Sequence, residues 1–151
     1  MNHPTLNQYL NDVSASFRIL EHPADLGIEA HGSTLEEAFA QAAVGLVSII
    51  LDPATVEPRQ AKEVHLRGTD LEQLLVKWLS EIVYLYDGQG FVGKEFEIVR
   101  LTENELDAKV RGEPIDLQKH RTRLDVKAVT YHQLQIQHTD HGFRVQVYLD
   151  I

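Results

Sequence analysis

Cysteine is absent from the chain, which excludes a disulfide framework, a dithiol redox pair and any thiolate zinc site. A bound metal ion would have to be held by imidazole, carboxylate or carbonyl oxygen. Long apolar runs are absent too. The longest, Ala42–Leu51, is well short of the roughly 20 residues that a membrane-spanning helix needs. No basic segment precedes an apolar run in the opening MNHPTLNQYLNDVSA, so the expectation is a soluble, cytoplasmic protein. Basic residues are scarce: 14 Lys and Arg against 23 Asp and Glu give a formal net charge of −9. That balance opposes independent binding to phosphate backbones and favours a basic protein partner or divalent cations. Nor is there a nucleophile elbow, a lysine-bearing phosphate loop or a zinc-protease helix motif. A chain of 151 residues suits one domain with a core of its own.

What is present is hydrophobic periodicity. Residues 1–16 are polar without a sustained period and read as an appendage to a domain over 17–151. Phe17–Leu20 and Gly27–His31 read as short strands, which places His22–Asp25 in the loop between them around Pro23. Ser33-Thr34-Leu35-Glu36 is a capping box that starts a helix. Its apolar stripe is Leu35, Ala38, Phe39, Ala42, Ala43, Leu46, Ile49 and Ile50, up to a stop at Asp52-Pro53. Lys62–Arg67 alternates as a strand, and Thr69-Asp70-Leu71-Glu72 opens a second helix. That helix buries Trp78 as a core anchor and ends at Asp87-Gly88, where the glycine suits a left-handed cap. Gly88–Gly93 matches a dinucleotide fingerprint but follows a helix and enters a strand, so it is not read as a nucleotide loop.

From Phe91 the period is two. Phe96, Ile98 and Arg100, then Leu106, Ala108 and Val110 beyond a turn near Asn104, predict a hairpin. Residues 112–123 read as a loop, Leu124–Tyr131 as a strand with Lys127 opposite Leu124, Val126 and Ala128. Leu134 and Ile136 continue in strand style, Thr139–Gly142 is a turn, and Phe143, Val145, Val147 and Leu149 form a last strand. The order predicts an α+β fold: a single-domain, mostly antiparallel sheet or sandwich with two long helices packed on one face.

Two stretches concentrate polar chemistry. In the last strand Arg144, Gln146, Tyr148 and Asp150 point away from the apolar face, and Ile151 adds the terminal carboxylate directly after Asp150. If that tip lies beside His22 and Asp25, three oxygen donors and an imidazole converge, a set suited to calcium, magnesium or manganese, with zinc ranked below them. The alternatives are a solvated C-terminus and a proline turn in which Asp25 bonds nearby amides. His138 and His141 flank a tight turn and read as a polar hairpin tip, and Lys127 reads as a charged edge-strand residue.

His22-Pro23-Ala24-Asp25-Leu26-Gly27, the helix LLVKWLSEIVYLY over 74–86, Gly112-Glu113-Pro114, KAVTYH over 127–132 and the terminal Asp150-Ile151 together resemble the archease family, in order and over nearly all of 17–151. Pro23 stands where the family has threonine, Ser80 where asparagine is usual, and Arg121–Arg123 is more basic than the pattern. The resemblance implies an accessory protein, not a catalyst, for an RtcB-type RNA ligase, which joins 2′,3′-cyclic-phosphate or 3′-phosphate ends to 5′-hydroxyl ends in tRNA splicing. It implies faster guanylylation of the ligase histidine and repeated turnover, with RNA met only through the ligase. Carried onto this chain, it makes Asp25, Asp150, the carboxylate of Ile151 and His22 a divalent-metal site and Lys127 a partner contact. The competing readings are a metal-dependent hydrolase of a small phosphorylated substrate and a metal-independent chaperone or adaptor.

Overall fold

The helix Leu35–Ile50 (α1) is buried on nearly every side, and the rest of the fold is arranged around it. The computed structural model describes residues 16–22 and 25–151, with 21 and 22 described by their backbone alone. Among the described residues the chain order is β1 (Phe17–His22), β2 (Asp25–Gly32), α1, a 3-10 turn (Pro53–Thr55), β3 (Gln60–Arg67), α2 (Leu71–Asp87), β4 (Phe91–Leu101), β5 (Glu105–Pro114), β6 (Ala128–Val129), β7 (Gln135–Thr139) and β8 (Gly142–Asp150). One five-stranded sheet runs β1-β2-β8-β6, with β7 pairing β8 as well; a three-stranded sheet runs β3-β5-β4. Every pairing is antiparallel. This is the expected α+β class.

Contacts of α1 with β2 and β8 on one side and with β4 on the other explain why its stripe is wider than the spacing predicts. Gly45, Val47 and Ser48 are buried along with the stripe, and the Ser48 hydroxyl is satisfied by donating to the Val44 carbonyl at 2.9 Å. Helix α2 fixes itself to α1 through Trp78, which is fully buried, donates from Nε1 to the Phe39 carbonyl at 3.0 Å and meets the Phe96 ring edge-on at 6.2 Å. Trp78 is the core anchor its spacing predicts.

Both helices start one residue later than their first capping pattern. Thr34 caps α1 and accepts from the Glu37 amide at 3.1 Å, while Glu37 reaches back to the Ser33 amide at 2.8 Å and hydroxyl at 2.5 Å. Asp70 caps α2 and accepts from the Gln73 amide at 2.7 Å, while Gln73 takes the Thr69 amide at 2.8 Å. Each stretch fits the box in two registers, and in the one adopted Glu37 or Gln73 closes over the amide of the residue before the cap. At the end of α2 Gly88 has φ −91° and is right-handed; the left-handed glycine is Gly90, at φ 63°.

The end of α1 has no basic residue of its own. Its carbonyls are taken by the segment after β5: the Arg123 amide donates to Ile50 at 2.7 Å, the Leu124 amide to Ile49 at 3.3 Å and the Arg123 guanidinium to Ser48 at 2.9 Å. The expected strand over 124–131 is therefore only Ala128–Val129, because the residues before it bond to a helix end instead of to a sheet. Arg123 is largely buried and serves as a cap on the helix end. In β4 two register shifts, at Gly93/Glu95 and Ile98/Arg100, break the period of two. The second turns Arg100 to the outer face against Asp107 and sends Val99 into solvent, which blunts an edge strand.

Candidate functional site

Alternation along β2 and β8 sorts their side chains onto two faces. Leu26, Ile28 and Ala30 of β2, with Val145, Val147 and Leu149 of β8, are buried in the core. Asp25, Gly27, Glu29 and His31 share the outer face with Arg144, Gln146, Tyr148 and Asp150. Register then decides which residues meet. Asp25 is directly opposite Asp150, Gly27 opposite Tyr148, Glu29 opposite Gln146 and His31 opposite Arg144. On the far side of β2, His22 pairs with Asp25, and on the far side of β8, Ala128 pairs with Asp150.

His22 and Asp25 are thus the ends of two paired strands, each longer than its periodicity predicts, because the β2–β8 ladder and, beside it, the β1–β2 ladder continue past the apolar residues. The backbones of His22, Asp25 and Asp150 form one row at the tip of the sheet, with the Ile151 carboxylate beyond it. The His22 side chain, Pro23 and Ala24 lie outside the described residues, as do residues 1–15 of the appendage.

Directly opposed residues in an antiparallel pair have Cβ atoms about 4.5–5.5 Å apart, and like charges so placed destabilise the sheet. Asp25 is half-buried and Asp150 exposed. Among the described residues neither carboxylate takes an ion pair or a side-chain hydrogen bond. Hard oxygen donors this close suit calcium, magnesium or manganese better than zinc. No group of three His, Asp or Glu side chains converges on one point among the described residues. A closed set therefore draws on the terminal carboxylate, on His22 or on groups from outside the chain.

Lys127 is brought to this tip by backbone. Its amide donates to the Asp150 carbonyl at 2.8 Å, and the Thr130 amide and hydroxyl both donate to the Tyr148 carbonyl, at 3.0 and 2.9 Å. Lys127 is exposed; of the residues expected on the face opposite it, Val126 is buried whereas Leu124 and Ala128 are exposed. The period of two fails there because only two residues are strand.

Two buried carboxylates escaped the sequence reading. Glu29, on the outer face, looks solvent-facing by alternation, yet it is covered by Arg18 (2.6 Å), Arg144 (3.0 Å) and His31 (3.0 Å). Burial alone would raise its pKa, but the bonds from Arg144, Arg18 and His31 outweigh it and hold the group at about 2. Glu113 accepts from the Glu57 amide at 2.7 Å, from Lys119 at 2.9 Å and from His120 Nε2 at 3.0 Å. Burial is again outweighed by these donors, and its pKa is about 2. The Asp116 amide donates to His120 Nδ1 at 3.0 Å, so the ring carries its proton on Nε2 and donates to Glu113. Alternation puts His31 on the same face of β2 as Glu29 but gives no signal for the rest, since Arg18 and Arg144 come from β1 and β8 and the partners of Glu113 come from loops.

Carboxylates held this low are poor general bases near neutral pH. An open cleft of about 530 Å³, lined by His31, Ser33, Glu37, Gln41, His141 and Phe143 among others, lies at the opposite end of β2 from Asp25 and does not enclose the acidic row. His138 stacks on Phe143 at 4.7 Å instead of joining His141, in keeping with a hairpin tip. No helix among the described residues is long and apolar enough to cross a membrane.

Comparison with known proteins gives a consistent answer. The model of the archease protein family matches residues 17–151. A protein archease of Saccharolobus islandicus is 42% identical over 137 residues, covering 90% of this chain and 99% of the relative. The solution structure of Methanobacterium thermoautotrophicum protein 1598 superposes with a TM-score of 0.77 at 30% identity, covering 90% of this chain and 99% of that one. The crystal structure of a Thermotoga maritima protein described as an archease and possible chaperone shares the fold, with a TM-score of 0.61 at 20% identity over 87% of this chain and 94% of that one.

Proposed function

The chain belongs to the archease family, and from that premise we propose that it is an accessory protein, not an enzyme: an activator of an RtcB-type tRNA-splicing RNA ligase that promotes ligase guanylylation and multiple turnover through a metal-binding acidic tip. The observation that supports this most is the opposition of Asp25 and Asp150 across β2 and β8, with no ion pair to either among the described residues. A sheet gains nothing from two adjacent carboxylates unless a cation joins them. Asp25 and Asp150, with the Ile151 carboxylate and His22, would hold the ion, which when bound supplies positive charge for phosphate oxygens. Lys127, tied to the Asp150 carbonyl through its own amide, stands beside them as a contact for the partner or its phosphates. The net charge of −9 suits docking on a protein that is basic where it holds RNA.

The description "possible chaperone" carried by the Thermotoga maritima relative agrees with an accessory role and leaves a metal-independent adaptor as the second reading. A phosphoesterase finds less support, since the buried carboxylates Glu29 and Glu113 are fully bonded and held too low to act as general bases near neutral pH. The test is multiple-turnover ligation by the cognate ligase with GTP and a divalent metal. Ligation that stalls near one turnover alone and continues with this protein supports the activator reading. Loss of stimulation by Asp25→Asn and Asp150→Asn, with folding intact, supports the tip. A competent ligase indifferent to the wild-type protein would overturn the reading.

A further inference from the structure

One turn beside the acidic tip is held in a conformation that its sequence does not favour. Gln133, between β6 and β7, has φ 50°, the only positive φ at a residue other than glycine among the described residues. A left-handed glutamine persists only where surrounding bonds over-determine it. Those bonds are present on both sides. At one end Thr130 bonds the Tyr148 carbonyl, and its hydroxyl accepts from the His132 amide at 3.2 Å. At the other end the Gln146 amide group donates to the Gln133 carbonyl at 3.0 Å.

Gln146 is itself 8% exposed, and its oxygen accepts from Arg144 at 2.7 Å, which in turn bonds Glu29. A chain of buried polar groups thus runs from the centre of the sheet to this kink. The Leu134 amide closes the turn on the Tyr131 carbonyl at 3.2 Å. What the clamp displays is Tyr131, 56% exposed, and next to it His132, which meets the Tyr148 ring at 6.1 Å. Tyr131 lies three residues from Ala128, the register partner of Asp150, so the chain places it within about 11 Å of Ala128.

A core does not need this arrangement, because the tyrosine it presents is in solvent. We propose that the turn over residues 130–134 is a preorganised recognition element, with Tyr131 the anchor that enters an apolar pocket on a protein partner. That pocket is rimmed by basic side chains that meet Asp150 and the Ile151 carboxylate. A rigid tyrosine offers a large contact area with little entropy to lose, and fixing its turn in advance removes part of the ordering cost of binding. The proposal rests on the activator reading for the identity of the partner: the RNA ligase.

The experiment titrates the full-length protein against the ligase by calorimetry and, separately, measures stimulated ligation as a function of protein concentration. Tyr131→Ala is expected to raise the dissociation constant about tenfold or more. It should raise the half-maximal concentration equally while leaving the stimulation reached at saturation unchanged. Asp150→Asn, which removes both a contact to the basic rim and a metal ligand, is expected to weaken binding and also to lower the stimulation reached at saturation. Gln146→Leu, which frees the kink, should weaken binding in the same sense as Tyr131→Ala. Thermal unfolding of each variant separates weakened binding from misfolding, and Tyr131→Phe should bind like the wild type. Wild-type affinity in Tyr131→Ala would overturn the turn's role and leave the activator reading standing. No binding by the wild-type protein would overturn both.

Discussion

Replacing Asp150 with asparagine tests the acidic row without any partner. In the absence of divalent ions, Asp25 and Asp150 are opposed across two strands with no basic side chain paired to either among the described residues. At about 5 Å in a solvent-exposed setting their repulsion is about 1 kcal/mol before salt screening, and about half that in ordinary buffer. Asp150→Asn keeps the shape and removes the charge, so the metal-free variant should be more stable by about 0.5–1 kcal/mol, or about 1–4 °C in Tm for a chain this size. With a divalent ion the order should reverse. An ion at a hundred times its Kd stabilises the wild type by about 2.7 kcal/mol, and the variant, having lost a ligand, gains far less. The assay is thermal unfolding followed by Trp78 fluorescence, first with chelator at low ionic strength and then with calcium, magnesium and manganese in turn. Two curves that cross on adding metal are expected. A variant less stable than the wild type with chelator, or shifted equally by the ions, would refute the reasoning.

Three further outcomes are expected. Glu29→Gln should lower stability at neutral pH by about 2–3 kcal/mol, since Arg18 and Arg144 lose their anion. The wild-type carboxyl is held at about 2 against an ordinary 4.5, so its contribution is complete above about pH 4.5 and fades as pH falls toward 2; urea midpoints across that range should drop more steeply in the wild type than in the variant. Arg123→Ala should cost about 1–2 kcal/mol by uncovering the end of α1, read as a lower urea midpoint with an unchanged slope. Gly112→Ala should cost more than about 3 kcal/mol, because a Cβ there would meet the Val92 carbonyl oxygen at 1.8 Å and force β4 and β5 apart; a variant as stable as the wild type would show that the strands separate freely.

Local pattern in the sequence determined much of this protein. Apolar spacing of three and four drew α1 and α2 nearly to their ends, spacing of two drew the β4–β5 hairpin and β8, and capping residues marked both helix starts to within one residue. These features follow from neighbours in the chain, so one sequence is enough to read them. The carboxylates at Asp25 and Asp150 were visible as strand ends, but their opposition was not. Residues 125 positions apart meet only because β8 pairs with β2 in one particular register. Tertiary structure also decided what periodicity misread: the shortened β6, drawn off to cap α1 at Ser48, Ile49 and Ile50, and the burial of Glu29 and Glu113 beneath cations from other segments. A buried charge is tolerated only where donors surround it, and although His31, Lys119 and His120 lie nearby in the chain, nothing local shows that they turn onto these carboxylates or that Arg18, Arg144 and the Glu57 amide join them.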